Sequence, residues 1–202
     1  MKVLTAEGYI DYKIIKYPQK MVIHKYKTCG NKENVIKNIL KYYEQKYYYD
    51  ISKAFIYIKN NFNNYITEDI VKNVHRIITN NDEYIYNIDF SGIFRPNKCD
   101  MFCFGSYKYY IAPKYDDAIS LFSKMEKQKI DSLDKLKEWY EEFERLHLFF
   151  DNNGKTGRTI FSALSKIITN IYYYPIDKDI NNPLENLDIF SLKSIIHSKY
   201  PI

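Results

Sequence analysis

Apolar side chains recur at helical spacing along most of this 202-residue chain. The clearest stripe lies within residues 132–150, where apolar positions follow the i, i+3, i+4, i+7 pattern of an amphipathic helix. In another such segment, Thr67 is placed to cap the first turn of a helix. The predicted helices cover residues 33–47, 51–62, 67–79, 115–128, 132–150, 158–173 and a terminal segment within 176–202.

One stretch departs from this pattern. Residues 91–113 are rich in aromatic side chains, carry two glycines and two prolines, and lack helical periodicity. These features favour a β-hairpin, because turn residues bound short strands that aromatic residues fill. A glycine-bearing segment, 151–157, predicts a turn between two helices. The expected fold is therefore all-α, a helical bundle with one β-hairpin.

Composition narrows the class of protein. Hydrophobic residues make up 46% of the chain and charged residues 27%, as in soluble globular proteins. The net charge of +5 is mild and comes without a polybasic block, so nucleic acid is not expected as a partner. No apolar run approaches the roughly 18 residues of a membrane span, and acidic residues interrupt the N-terminus where a signal peptide needs an apolar stretch. Three cysteines, too few for a disulfide framework, favour a reducing compartment, so we expect a cytoplasmic protein that does not use a membrane.

Candidate chemistry concentrates in one short segment, residues 147–158, which reads HLFFDNNGKTGR. The segment places a histidine at the end of a predicted helix, then a carboxylate, then a glycine-bearing loop that leads into the next helix. An imidazole titrates near neutral pH and can take a proton from a hydroxyl group. A carboxylate suits Mg²⁺ that bridges phosphates, and amide N–H groups at a helix N-terminus bind anions. With Lys155 and Arg158 beside them, these groups predict phosphoryl chemistry on a nucleotide.

The same segment resembles the signature of the Fic family (Fic/Doc fold), usually written H-x-F-x-[DE]-[GA]-N-G-R-x-x-R. The chain departs from it at Asn152, where the family usually has Gly or Ala, and at Lys155, where it usually has Arg. The resemblance covers about residues 50–175, since an early helix that carries the pair Val74-His75 and an aromatic-rich hairpin also look like parts of that family. The matching positions of the signature are His147, Phe149, Asp151, Asn153, Gly154 and Arg158.

This resemblance implies transfer of AMP from ATP, with Mg²⁺, to a hydroxyl side chain of a target protein. His147 would be the general base that acts on a Ser, Thr or Tyr hydroxyl. Asp151 would hold Mg²⁺ against the α- and β-phosphates, and Phe149 would point into the core. Asn153 and the Gly154 amide would cradle the α-phosphate, and Arg158 would meet the distal phosphates. The implied nucleotide-binding residues are Asn153, Gly154, Lys155 and Arg158.

The two departures from the signature bear on activity. Lys155 keeps the charge of an arginine but loses its bidentate fork, and Asn152 tolerates a positive φ better than most residues. The phosphotransferase branch that resembles Doc has Lys at the position of Gly154, so the glycine favours AMP transfer over γ-phosphate transfer. Three alternatives stay open: transfer of another phosphate-containing group, removal of AMP from a modified protein, and a degenerate nucleotide-binding module without catalysis.

The resemblance also implies a docking flap and an inhibitory segment. The family's flap pairs with the backbone of the target as an added strand, and the alternative is a hairpin that only covers the core. The inhibitory pattern [ST]-x-x-x-E-[GN] is approximated by residues 29–34, in which the Glu33 carboxylate would pair with Arg158. Residues 181–186 are a weaker second candidate. The predicted docking edge of the flap is Met101, Phe102, Cys103, Phe104 and Gly105.

Three regions are predicted along the chain. Residues 1–49 form an N-terminal extension that holds the candidate inhibitory helix, 50–175 form the Fic core, and 176–202 form a C-terminal helix that packs on the core. His75 is predicted to be structural, because it lies in an apolar-periodic helix. The expected partners are ATP and a protein with an exposed hydroxyl side chain. A homodimer, and a secreted effector that acts in a host cytosol, stay open.

Overall fold

Helices dominate the part of the chain that the structure describes. The structure is a computed structural model, and it describes residues 2–5, 8–11, 25–40, 47–79, 84–85, 88–95, 102–104 and 109–176. The mostly helical architecture with a small antiparallel hairpin confirms the predicted fold class. The helices are α1 (Lys32–Ile39), α2 (Tyr47–Asn61), α3 (Glu68–Thr79), α4 (Tyr115–Met125), α5 (Leu133–Leu146) and α6 (Asn153–Thr169).

Short antiparallel strand pairs accompany the helices. The strands are β1 (Lys2–Thr5), β2 (Gly8–Asp11), β3 (Lys25–Cys29), β4 (Tyr84–Ile85), β5 (Ile88–Asp89), β6 (Phe102–Phe104), β7 (Tyr109–Ile111) and β8 (Tyr172–Ile176). Strands β6 and β7 pair with Phe102 opposite Ile111, which confirms the hairpin expected within residues 91–113. Strand β3 pairs with β8, Cys29 lying opposite Tyr172, so the chain ahead of α1 is joined to the chain that follows α6.

The core is built around α6, which packs against α2, α3 and α5. The apolar stripe of α5 faces this core as predicted, and its buried members are Leu136, Trp139, Tyr140, Phe143 and Leu146. The Thr67 hydroxyl accepts a hydrogen bond from the Ile70 amide at 3.3 Å, so the predicted cap of α3 is present. No helix in the described ranges is both long and apolar enough to cross a membrane.

The prediction for α6 was wrong at both ends. The helix begins at Asn153 rather than at residue 158, so the predicted turn 151–157 is largely helical. The physical reason is close packing: a Cβ at Gly157 would lie 2.5 Å from Glu144 Oε1 and 3.0 Å from a ring carbon of Phe143, so this glycine lets α5 and α6 approach. At its other end α6 stops at Thr169, and residues 172–176 form β8 instead of continuing the helix.

Two further predicted helices lie partly or wholly outside the residues that the structure describes. Helix α1 ends at Ile39, and residues 41–46 of the predicted helix 33–47 lie outside the described residues. The C-terminal helix expected within 176–202 falls, beyond residue 176, outside them as well. The division into an extension, a Fic core and a C-terminal helix stays a prediction.

Candidate active site

His147 is the residue at which α5 ends. Its backbone takes the left-handed conformation, with φ 49° and ψ 56°, which turns the chain sharply out of the helix. Arg95, which is fully buried, bonds the backbone of this turn twice. Its Nε donates to the His147 carbonyl at 3.0 Å, and its backbone N–H donates to the Leu148 carbonyl at 2.8 Å. The same guanidinium also donates to the carbonyl of Pro113, beyond the hairpin. Arg95 therefore fixes the backbone of His147 relative to the base of the β6–β7 hairpin.

The next part of the loop is anchored by Phe149 and Asn153. Phe149 is fully buried, as predicted, and its ring stacks on the ring of His75 with centroids 3.8 Å apart. The Asn153 side chain bonds the backbone of Phe149 twice, accepting from its N–H and donating to its carbonyl, each at 2.8 Å. Asn153 thus closes the loop onto the first turn of α6, and its contact with an α-phosphate stays a prediction.

Asp151 and Asn152 complete the turn into α6. The φ of Asn152 is +55°, the left-handed region that an asparagine at this position tolerates. Its N–H donates to Asp151 Oδ1 at 2.8 Å, which directs the carboxylate toward the start of the helix. The Asp151 carbonyl lies 3.1 Å from Nε2 of His75. The half-buried Asp151 is therefore held through both its backbone and its side chain.

The first turn of α6 gathers positive charge. A Cβ at Gly154 would lie 2.9 Å from a terminal guanidinium nitrogen of Arg158, so the arginine folds back over the glycine toward the helix N-terminus. Amide N–H groups at this end of a helix carry partial positive charge, and the guanidinium adds a full one. Lys155, in the same turn, has a side chain that is only 4% exposed. The geometry favours an anion in front of Gly154.

His75 lies beneath this loop and is electrically neutral. Burial lowers its pKa to about 4, and the positive charges of Lys155 and Arg76 act in the same direction. Its Nδ1 accepts a hydrogen bond from the Gly92 N–H at 2.9 Å. The prediction that His75 is structural agrees with its full burial.

Residues 65–165 match the family model described as the Fic/DOC family, which is half of the chain. The chain belongs to the Fic/DOC family. Proteins with a Fic domain generally carry out AMPylation or a related transfer, and they use nucleotide substrates. No curated protein matches the sequence.

Within this Fic domain, the structure brings most of the predicted site residues onto one unit. His147 at the end of α5, Asp151 in the loop, and Gly154 with Arg158 at the start of α6 follow one another around a single turn of the chain. Mg²⁺ typically takes one or two protein carboxylates and completes its shell with phosphate oxygens and water. The half-buried carboxylate of Asp151, beside a helix N-terminus that favours phosphate, fits that chemistry, so this residue could hold Mg²⁺ that arrives with a nucleotide.

The predicted docking edge is described only in part. Phe102, Cys103 and Phe104 form β6. Met101 and Gly105 lie outside the described residues. Their part in holding a target stays a prediction.

The structure does not bring Glu33 to Arg158. Glu33 lies in the first turn of α1, where its exposed carboxylate pairs with Lys37 at 3.2 Å. The strand ahead of α1 ends opposite Tyr172, beyond the C-terminal end of α6, whereas Arg158 lies near the other end of that helix. The predicted contact between Glu33 and Arg158 is therefore not present in this structure, and inhibition by Glu33 stays a prediction.

Sequence reasoning missed the supports of the site. Arg95 is separated from His147 by 52 positions and His75 from Asp151 by 76, so no local pattern links them. The available signal was the pair Val74-His75, which looks like part of the family's early helix but does not indicate Asp151 as the partner of His75.

Proposed function

We propose that this Fic domain transfers AMP from ATP to a hydroxyl side chain of a target protein. The observation that carries the proposal is the single turn that joins His147 to an anion-binding helix start, with the Arg158 guanidinium folded over Gly154. The candidate base and the candidate phosphate cradle thereby lie at the two ends of one short loop. That combination supports transfer between a bound phosphate and an incoming hydroxyl group.

Each residue has a defined part in the proposed reaction. The hydroxyl oxygen of the target attacks the α-phosphorus, a new P–O bond forms, and the bond to the leaving pyrophosphate breaks. His147 takes the proton of that hydroxyl as general base. Arg158 and the amides of the first turn of α6 stabilise the negative charge on the phosphates. Asp151 would hold Mg²⁺, which when bound neutralises phosphate charge and helps the pyrophosphate to leave.

The hairpin supports a way to hold the target. Among the described residues β6 pairs with β7 alone, so the other edge of β6 offers backbone groups that an extended target segment can bond as an added strand. Arg95 joins the carbonyl beyond this hairpin to the backbone of His147. A target docked on the flap would therefore be positioned relative to the base.

The test is incubation of the protein with α-labelled ATP and Mg²⁺ in a cell lysate. Wild type should label itself or a lysate protein, and His147→Ala should lose about 10²–10⁴-fold in labelling rate, the usual contribution of a general base. His147→Asn is the better-matched variant, because asparagine tolerates the left-handed backbone of this position. Both variants should still bind Mg-ATP. Equal labelling by wild type and both variants would refute the assignment of His147.

The donor and the metal ligand are tested in the same assay. AMP transfer requires label from α-labelled ATP and none from γ-labelled ATP, whereas phosphate transfer gives the opposite result. Asp151→Asn should weaken Mg²⁺-dependent labelling, and Asp134→Asn, an exposed carboxylate at the start of α5, should not. Saturable Mg-ATP binding without any transfer would identify a binding module instead of an enzyme.

A further inference from the structure

His75 makes contacts that core filling does not explain. Its ring is completely buried in α3, yet it bonds two backbone groups from other parts of the chain, the Gly92 N–H at 2.9 Å and the Asp151 carbonyl at 3.1 Å. Its face stacks on Phe149, centroids 3.8 Å apart. A side chain that only filled space would be better served by an apolar residue, since burying an imidazole costs free energy unless its nitrogens are bonded.

The hydrogen bonds define which nitrogen carries the proton. A backbone N–H can only donate, so Nδ1 of His75 must be the unprotonated acceptor of the Gly92 bond. In a neutral imidazole the proton then sits on Nε2, which donates to the Asp151 carbonyl. His75 is thus a fixed donor aimed at one peptide group of the loop.

That peptide group is the one that sets the direction of the Asp151 carboxylate. The carbonyl of Asp151 belongs to the peptide unit whose N–H, on Asn152, donates back to Asp151 Oδ1 at 2.8 Å. Asn152 is left-handed, with φ +55°, a conformation that needs outside support in a residue other than glycine. Holding the carbonyl therefore holds the whole peptide plane, and with it the carboxylate bonded to the plane's other side.

We propose that His75 is a positioning residue that fixes the Asp151 peptide, and through it the Asp151 carboxylate, by donating from Nε2 to the Asp151 carbonyl. The step from this geometry to Mg-ATP affinity rests on the function proposed above. The geometric part does not, because it concerns the order of the loop in the protein alone.

Two amide substitutions separate the two bonds of His75. In His75→Gln the amide nitrogen stands as far from the backbone as Nε2, so the donor to Asp151 is kept and the acceptor for Gly92 is lost. In His75→Asn the amide oxygen stands as far out as Nδ1, so the acceptor for Gly92 is kept and the donor to Asp151 is lost. Both variants are neutral, polar and smaller than histidine, so each serves as the control for the other.

Hydrogen exchange of the loop amides is the first readout. The Phe149 amide donates to the Asn153 side chain, and its exchange rate reports on the order of the loop. We expect this amide to exchange about tenfold faster in His75→Asn than in wild type, because that variant loses about one net hydrogen bond. In His75→Gln the exchange rate should change far less. Val71→Ala, a buried truncation in the same helix, controls for general loss of stability. Equal acceleration in the Gln, Asn and Val71→Ala variants would overturn the proposal.

Mg-ATP affinity is the second readout. The dissociation constant should rise about tenfold in His75→Asn and at most about threefold in His75→Gln. If wild type binds no nucleotide, the proposed function fails while the exchange measurement still decides the role of His75. The tautomer is checked on wild type by NMR: an Nε2–H proton with bare Nδ1 supports the proposal, and an Nδ1–H proton overturns it even if no variant folds.

Discussion

Two left-handed residues bound the loop that carries the site. His147 and Asn152 both have positive φ, and neither is a glycine. Such a conformation costs about 1–2 kcal/mol for each residue, so surrounding contacts must compensate. Arg95 bonds the His147 carbonyl and His75 bonds the Asp151 carbonyl, which places one buried side chain against each end of the loop. The strain and its supports lie where the proposed chemistry needs a fixed geometry.

Gly92 offers a test of these supports at the scale of one residue. Its φ is +69°, and a Cβ there would lie 2.7 Å from the Lys72 carbonyl oxygen. Gly92→Ala should lower the free energy of unfolding by about 2–4 kcal/mol, because the strain of a left-handed alanine adds to the backbone clash. Urea unfolding measures this loss. Gly30→Ala is the control, since a Cβ there meets nothing within 4 Å, and a loss as large in that control would contradict the explanation.

At the scale of elements, the pair α5–α6 decides where the site lies. Glycine weakens a helix interior by about 1 kcal/mol relative to alanine, yet α6 contains both Gly154 and Gly157 in its first two turns. Gly157 faces Phe143 and Glu144 of α5, and Gly154 leaves room for the guanidinium of Arg158. The glycines that suggested a turn in the sequence instead let a second helix and an arginine approach closely.

Gly157→Ala tests this close approach. The added Cβ would have to displace the Glu144 carboxylate, 2.5 Å away, and the Phe143 ring, 3.0 Å away. We expect a loss of about 1–2 kcal/mol in the free energy of unfolding, since overpacking outweighs the gain in helix propensity. Thermal or urea unfolding gives the value. A variant more stable than wild type would contradict the close packing of α5 against α6 at this glycine.

At the scale of the whole molecule, contacts distant in sequence hold the helical core together. Tyr26 of β3 stacks on Phe161 of α6, with centroids 5.0 Å apart, and its hydroxyl donates to Glu141 of α5 at 3.1 Å. Burial, together with the charge of Glu141, raises the pKa of Tyr26. Strand β3 pairs with β8, so residues 25–29 of the predicted N-terminal extension pack into the same body as the helices.

The stability of this body should depend on pH through His75. Its pKa of about 4 in the folded protein lies below the ordinary value of 6.5, so the unfolded chain binds the proton more readily. The contribution of the neutral imidazole is complete above pH 6.5 and is lost as the pH falls toward 4, by about 3 kcal/mol in all. The measurement is unfolding by urea between pH 7 and pH 4 for wild type and His75→Gln. Wild type should lose more stability than the variant over this range, and parallel curves would contradict the assignment.

Local sequence patterns predicted the elements better than their ends. The stripe of α5 and the cap at Thr67 follow from spacing alone, and both are present. The start of α6 was misplaced by five residues because helix propensity treats Gly157 as a breaker, while packing against Phe143 favours it. The inhibitory pairing of Glu33 with Arg158, inferred from a short pattern, is not the contact that Glu33 makes.

The sequence by itself determined which residues are the candidates for the proposed chemistry: the order of His147, Asp151, Gly154 and Arg158 within twelve positions predicts a base, a carboxylate and a phosphate cradle. It determined the helical class as well, because amphipathic periodicity is a local property of the chain. Only the tertiary structure decided how that loop is held, since Arg95 and His75 reach it from segments more than fifty residues away. Hydrogen bonds between distant segments leave no periodic trace in a sequence, and burial, which makes those bonds necessary, exists only once the chain has folded.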